Sequence, residues 1–241
     1  MKWLALILIL FAGCDAIYAD ALQYYPLAYE EAGVTPSGLV AWWKFDGDLT
    51  DSEGGYDLYL ATGAAMTNYQ YDAGKFGQCL ALTNVVTRFV SALTPSLGSN
   101  ATVVGWVKLK NALPVTSLSG LWKFGDKSDT THFPYSGTYY FKTFRSLTRY
   151  TITPPAWSDR ESWTQIAITS ESGADGWKMY ENGLCFYTNT GESVIGLTGQ
   201  MCVGADKTNG NFTCDGWIDD TQIYDTTLSA SDIWTLYERT E

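Results

Sequence analysis

DGWIDDTQIYD, residues 215–225, reads as a β-strand that sets two carboxylates side by side at its centre. Side chains alternate across a strand, so Trp217, Asp219, Thr221 and Ile223 share one face, and Ile218, Asp220, Gln222 and Tyr224 share the other. Whichever face is buried, one Asp goes with it. A buried carboxylate is costly unless hydrogen bonds or a cation compensate it. The pair therefore calls for a partner.

The rest of the chain supports a β reading. Of 241 residues, 46% are hydrophobic and only 17% charged, with 16 Tyr, 10 Trp and 23 Gly. That is enough apolar material for one full core. From Gly38 onward, short apolar, aromatic and Thr-rich runs are split by Gly, Asn, Asp and Pro, the pattern of an antiparallel sandwich or barrel. The runs LVAWWKF, KFGQCLAL, TVVGWVKL, GLWKFGD, TYYFKTF, SWTQIAITS, GWKMYENG, GLCFYT, GQMCVGA and GWIDDTQIY are the expected strands. The pattern predicts one helix, LSASDIWTLYE, with Ser229 as its cap and Asp232 reaching back from the third position.

The first residues, MKWLALILILFAGCDAIYADA, carry one Lys, an apolar run too short to span a bilayer, and an Ala19-Asp20-Ala21 cleavage pattern. Residues 1–21 are expected to be a secretory signal peptide, 22–37 a linker or strap, and 38–241 one domain. An alternative reading anchors the chain as a lipoprotein through Cys14. Without residues 1–21, 14 basic residues face 24 acidic ones, a formal charge of −10. Such a surface repels nucleic acid and anionic membranes, and the mature chain has no expected transmembrane span.

Export would place Cys79, Cys185, Cys202 and Cys214 in an oxidising compartment. Three pairings are possible. Cys202 and Cys214 flank a single loop and are the first expectation; four buried thiols are the alternative.

The ordered set GLVAWWKFDGDLTDSEGGYDLYL, GKFGQCLAL, ATVVGWVKL, SWTQIAITS, GWKMYENG, MCVGA and FTCDGWIDDTQIYDTTLSASDIWTLY resembles the LamG-type jelly rolls of the concanavalin A-like lectin/glucanase superfamily, over about residues 38–237. The resemblance implies an all-β, antiparallel jelly-roll β-sandwich of two packed sheets with one short C-terminal helix. It also implies a structural Ca2+ where the first strand ends beside the last. The matching positions are Asp46 and Asp219, with Asp48 and Asp51 completing the shell. The other reading takes DGDLTDSEGG as a polar turn and gives Asp219 backbone hydrogen bonds.

The glucanase branch carries a Glu-x-Asp-x-Glu strand, whose alternation aligns three carboxylates. No Glu-x-Asp occurs here, and His132 is the single histidine. The chain is therefore expected not to be an enzyme. Binding remains, and sugars lie against flat aromatic faces. Trp122, Tyr135, Tyr139, Tyr140, Tyr150 and Trp157 are the candidate ligand-binding residues, with ordinary sheet packing as their alternative role. Two functions are expected: a secreted or surface carbohydrate-binding, lectin-like domain for a neutral glycan, or a structural or adhesion module that contacts a surface protein.

Overall fold

The structure is a computed structural model that describes residues 35–60, 70–82, 89–91, 97–110, 119–124, 130–135, 138–142, 149–152, 162–172, 176–190, 201–204 and 214–240. For residues 60, 89–91, 119, 123–124, 130–135, 138–142 and 149–151 it describes the backbone alone. The signal and strap readings for residues 1–34 lie outside the described residues.

Fifteen strands run through these segments. The first seven are β1 (Leu39–Trp43), β2 (Leu58–Leu60), β3 (Gln70–Ala73), β4 (Gln78–Ala81), β5 (Phe89–Ser91), β6 (Ala101–Leu109) and β7 (Ser119–Phe124). Next come β8 (Thr130–Tyr135), β9 (Thr138–Lys142), β10 (Arg149–Ile152), β11 (Thr164–Ser170) and β12 (Trp177–Glu181). The last are β13 (Leu184–Asn189), β14 (Met201–Val203) and β15 (Gly216–Tyr224), followed by helix α1 (Ala230–Glu238). Sheet A has the order β13-β12-β11-β6-β15-β4-β3, with β1 also on β15; sheet B has the order β10-β9-β8-β7-β14-β5-β2. All pairings are antiparallel. The fold is the expected all-β sandwich. The five strands that the pattern missed, β2, β3, β5, β8 and β10, are three to six residues long, and the only run among them with its burial described in full, QYDA, is almost wholly exposed.

The two sheets meet in a core that includes Trp43, Phe45, Leu80, Val103, Val107, Leu121, Trp122, Ile152, Ile166, Ile168, Met201 and Val203. A second cluster lies on the outer side of sheet A, where Val104, Ala167, Tyr180 and Tyr224 pack against Leu228, Ile233 and Leu236. Alternation along β6 and β11 sends odd and even positions to these two clusters, so both strands are buried on both faces. Helix α1 covers the outer side. Its start is fixed by the expected capping box, in which the Ser229 side chain accepts from Asp232 N and the Asp232 carboxylate accepts from Ser229 N.

Strand β15 departs from strict alternation. Ile218 and Ile223 are five positions apart, yet both belong to the inter-sheet core. The phase switch is a bulge, since Asp219 pairs with Trp106 and Gln222 with Val104, three residues against two. Asp220 takes the strain with a φ of 48°, a left-handed conformation that Asp tolerates better than most residues. Both carboxylates are consequently buried, Asp219 at 0% and Asp220 at 5% exposure, rather than one on each side of the sheet.

The expected Cys202–Cys214 disulfide is corrected: the two are not bonded to each other. Met201 and Val203 point into the inter-sheet core, so Cys202 between them points away from it, whereas Cys214 belongs to that core. They are near in sequence, but Cys214 faces the inter-sheet core and Cys202 faces away from it.

Candidate functional site

Asp219 and Asp46 converge on the turn between β3 and β4, residues Gly74–Gln78. The turn closes with Gly74 N donating to Gly77 O at 3.0 Å. Asp219 Oδ2 accepts from Lys75 N at 2.7 Å and Phe76 N at 3.0 Å, and Asp46 Oδ1 accepts from Gln78 N at 2.7 Å. Two carboxylates thus satisfy three amides that the turn leaves unpaired. Glycine is required at both ends of it. A Cβ on Gly74 would lie 2.6 Å from Asp219 Oδ2, and one on Gly77 would meet Asp46 Oδ1.

Asp219 keeps one oxygen, Oδ1, buried and without a hydrogen-bond partner. Burial pushes its carboxyl up to about 7, and the neighbouring Asp220 charge adds to this, while the amides of Phe76 and Lys75 pull it back. Beside it, the buried Cys79 thiol donates to Ala73 O at 3.6 Å and is pushed up to about 12, first by burial and then by Asp219.

Asp48 and Asp51 do not join this turn. Asp51 organises its own loop: Oδ1 accepts from Trp42 N and Glu53 N at 2.7 and 3.0 Å, and Oδ2 from Gly54 N and Tyr56 N at 2.9 and 3.0 Å. Asp48 accepts from the Thr50 hydroxyl at 2.7 Å and from its amide at 3.0 Å, and these bonds lower its pKa. Among the described residues no group of three His, Cys, Asp or Glu side chains converges. Of the four carboxylates Asp46, Asp48, Asp51 and Asp219, only Asp46 and Asp219 bond to this turn; Asp51 is taken up by four amides of its own loop and one oxygen of Asp48 by Thr50.

Asp220 has a different partner set, drawn mostly from residues distant along the chain. Trp42 Nε1 donates to Oδ1 at 2.6 Å; Oδ2 receives Arg239 Nη2 at 2.6 Å and Gln222 Nε2 at 3.3 Å. Tyr224 extends the network by donating to Gln222 Oε1 at 2.7 Å. The Arg239 guanidinium also stands 4.4 Å over the Phe76 ring and 5.2 Å over Trp42. Phe76 meets Trp106 edge-on at 5.9 Å; Trp106 in turn stacks on Tyr237 of α1 and carries Lys75 Nζ at 4.5 Å. Helix α1 and the 74–78 turn are joined by this layer, which lies across the outer side of sheet A.

The aromatic candidates separate. Trp122 is 1% exposed and packs in the inter-sheet core, where Gly105 makes room for it: a Cβ there would be 2.7 Å from the indole. It is corrected from ligand-binding to core. Tyr135, Tyr139, Tyr140 and Tyr150 lie on β8, β9 and β10, with only their backbone described, and Trp157 is outside the described residues. In the register, Tyr139 is opposite the buried Ile152, Tyr150 opposite Phe141, Tyr140 opposite both His132 and Thr151, and Tyr135 opposite Thr138. Among the described residues no helix is long and apolar enough to cross a membrane.

A family model described as the concanavalin A-like lectin/glucanases superfamily matches residues 84–234. No curated protein matches the chain in sequence. Among solved structures, the chain is similar to domain 4 of AbnA, an extracellular arabinanase from Geobacillus stearothermophilus, in complex with arabinotriose. The TM-score is 0.63 at 20% identity, covering 83% of this chain and 98% of that one. It is also similar to the receptor binding domain of botulinum neurotoxin D, at TM-score 0.64 and 17% identity, covering 83% of this chain. A third likeness is the botulinum neurotoxin serotype D ligand binding domain in complex with N-acetylneuraminic acid, at TM-score 0.60 and 15% identity over 83% of this chain. The chain spans about half of each neurotoxin domain, 52% and 50%. At these identities the likeness establishes the fold.

Proposed function

The chain belongs to the concanavalin A-like lectin/glucanase superfamily, and from that premise we propose that it is a secreted, non-catalytic, lectin-like domain that binds a neutral glycan on the outer side of sheet B. The observation that carries this reading is the closure of the opposite face. Helix α1 and the 74–78 turn cover the middle of sheet A from outside, and Cys202 is wholly buried on β14 of sheet B, so a ligand that needs a broad strand surface is directed to β8–β10.

Backbone register supports the choice of residues. Cross-strand partners share a face, and Ile152 is in the core, so positions 139 and 150 fall on the core side. Positions 132, 140 and 151 form a row on the other side, and 135 pairs with 138 on that same side. Tyr140 and Tyr135 are therefore the proposed sugar platforms, with His132 and Thr151 beside Tyr140 as polar neighbours. A net charge of −10 without residues 1–21 favours uncharged sugars over carboxylated ones. Arabinotriose in the arabinanase domain is a neutral ligand on a similar fold. The missing Glu-x-Asp-x-Glu pattern supports a non-catalytic role, and the apolar stretch within residues 1–21 supports export.

Calcium enters as a second part of the proposal. Asp219 Oδ1 is a buried hard oxygen with no partner, and Asp46 bonds to the same turn through Gln78 N. This pair fits part of a Ca2+ donor set, with backbone carbonyls and water needed for the remainder. The ion would neutralise Asp219 and fix the turn.

A glycan array tests the main reading. Retention of neutral oligosaccharides, lost on Tyr140→Ala, is the expected result. Capture of a surface protein with no glycan retained would replace it with the adhesion role.

A further inference from the structure

We propose that the inter-sheet core binds a structural water molecule, which joins Trp122 Nε1 of sheet B to Thr221 Oγ1 of sheet A. The inference is independent of the glycan reading, because both atoms lie between the sheets.

Two buried polar atoms carry it. Trp122 is 1% exposed and Thr221 0%, and among the described residues neither Trp122 Nε1 nor Thr221 Oγ1 has a hydrogen-bond partner. They therefore do not bond to each other. A buried indole N–H ordinarily finds an acceptor, as Trp43 Nε1 does by donating to Tyr56 O at 3.0 Å. An unmet donor or hydroxyl in a core costs the desolvation of the group. The pair calls for one small molecule that accepts from the indole and bonds to the hydroxyl.

The fold brings the two atoms to one place. Trp106 pairs with Asp219 and Val104 with Gln222, so Gly105 between them faces the bulge of β15. Thr221 has Trp43, a core residue, as its cross-strand partner, which turns the Thr221 hydroxyl to the inner side of sheet A. A Cβ on Gly105 would lie 2.7 Å from Trp122 Cζ2 and 3.1 Å from Thr221 Oγ1. Cζ2 is on the Nε1 side of the indole, so the donor and the hydroxyl edge the same glycine. Water suits this pair in size and chemistry. It accepts from the indole N–H, and it can donate to the threonine hydroxyl or accept from it, since a hydroxyl plays both roles. The bridge ties the bulge to sheet B from the inner side, as Asp219 and Asp220 tie it to the 74–78 turn and to Arg239 from the outer side.

The test uses the full chain labelled with 15N at tryptophan. Trp122→Phe identifies the Trp122 indole signal among those of the ten tryptophans. In wild type that N–H proton should show dipolar cross-relaxation with water, the sign of a molecule held beside it rather than of proton exchange. Thr221→Val, which matches threonine in shape and removes the hydroxyl, should abolish the cross-peak and lower the unfolding midpoint by several degrees. Thr221→Ser keeps the hydroxyl and should keep the cross-peak. Thr221→Val and Trp122→Phe should also be non-additive, the second substitution costing less once the bridge is gone. The proposal is overturned if wild type shows no cross-peak, if Thr221→Val unfolds above wild type as the loss of a dry, unbonded hydroxyl would make it do, or if the two substitutions act additively.

Discussion

Asp220 and Arg239 hold the end of α1 to the strand β15, with Nη2 2.6 Å from Oδ2 across nineteen positions of chain. The contact joins β15, β1 through Trp42, and the residue that follows α1, so a single carboxylate ties three elements. Its neighbour Asp219 does a separate job, on the β3–β4 turn.

Replacing Asp220 with Ala should cost about 2–4 kcal/mol, because Trp42 Nε1 and Arg239 lose their acceptor. At a φ of 48°, Asp220→Gly should cost about 1 kcal/mol less than Asp220→Ala, since glycine carries no Cβ into the left-handed region. Urea unfolding of both variants measures the two numbers; equal stabilities would remove backbone strain from the account.

Asp219 gives stability a pH dependence of unusual sign for a carboxylate. Its folded value of about 7 lies above the ordinary 3.8, so the folded chain keeps a proton that the unfolded chain releases. Below about pH 4 both states are protonated and the contribution is fully present. It falls as pH rises through that window and is gone above about pH 7, a loss of up to about 4 kcal/mol. In chelator, wild type should lose more stability than Asp219→Asn between pH 4 and pH 8. Parallel curves for the two would show that Asp219 is ionised in the fold.

Calcium should oppose that loss. Ca2+ at about a hundred times its dissociation constant adds about 2.7 kcal/mol, several degrees in the midpoint, and Asp219→Asn should abolish the gain while Asp48→Ala leaves it intact. No response to chelator or to Ca2+ in wild type at neutral pH would leave Asp219 as a carboxylate held by Lys75 N and Phe76 N alone.

The four cysteines among the described residues, Cys79, Cys185, Cys202 and Cys214, should behave as separate thiols. Alkylation of the unfolded, unreduced chain should modify both Cys202 and Cys214. In the native state Cys79 and Cys214, both buried and pushed up to about 12, should react far more slowly than the half-buried Cys185. Recovery of a Cys202–Cys214 linked peptide would contradict the placement of Cys214 in the inter-sheet core and Cys202 away from it.

Where the fold was legible, local chemistry decided it. Ser229 and Asp232 mark the helix start in four residues, and Ala101–Leu109 and Thr164–Ser170 are unmistakable as strands. The Asp219–Asp220 pair signalled an irregularity, but alternation alone put one carboxylate on each face. A single left-handed residue changed the phase. Cys202 and Cys214 misled because nearness along the chain says nothing about side, which Met201 and Val203 fix. Asp51 looked like a metal ligand because an acid that organises four amides has the same neighbours in sequence as one that binds a cation. Arg239 gave no signal, since its partner belongs to a strand completed only in the folded sheet.

The outer side of sheet B, at β8–β10, is proposed to bind a neutral glycan. Isothermal titration of wild type and Tyr140→Ala against a neutral oligosaccharide retained on an array tests it most directly, with thermal midpoints measured alongside. Binding should be saturable in wild type and at least about tenfold weaker in the variant, the effect of removing one stacking ring, at an unchanged midpoint. Equal affinity in the two proteins would contradict it, as would a ligand displaced by substitutions on sheet A instead.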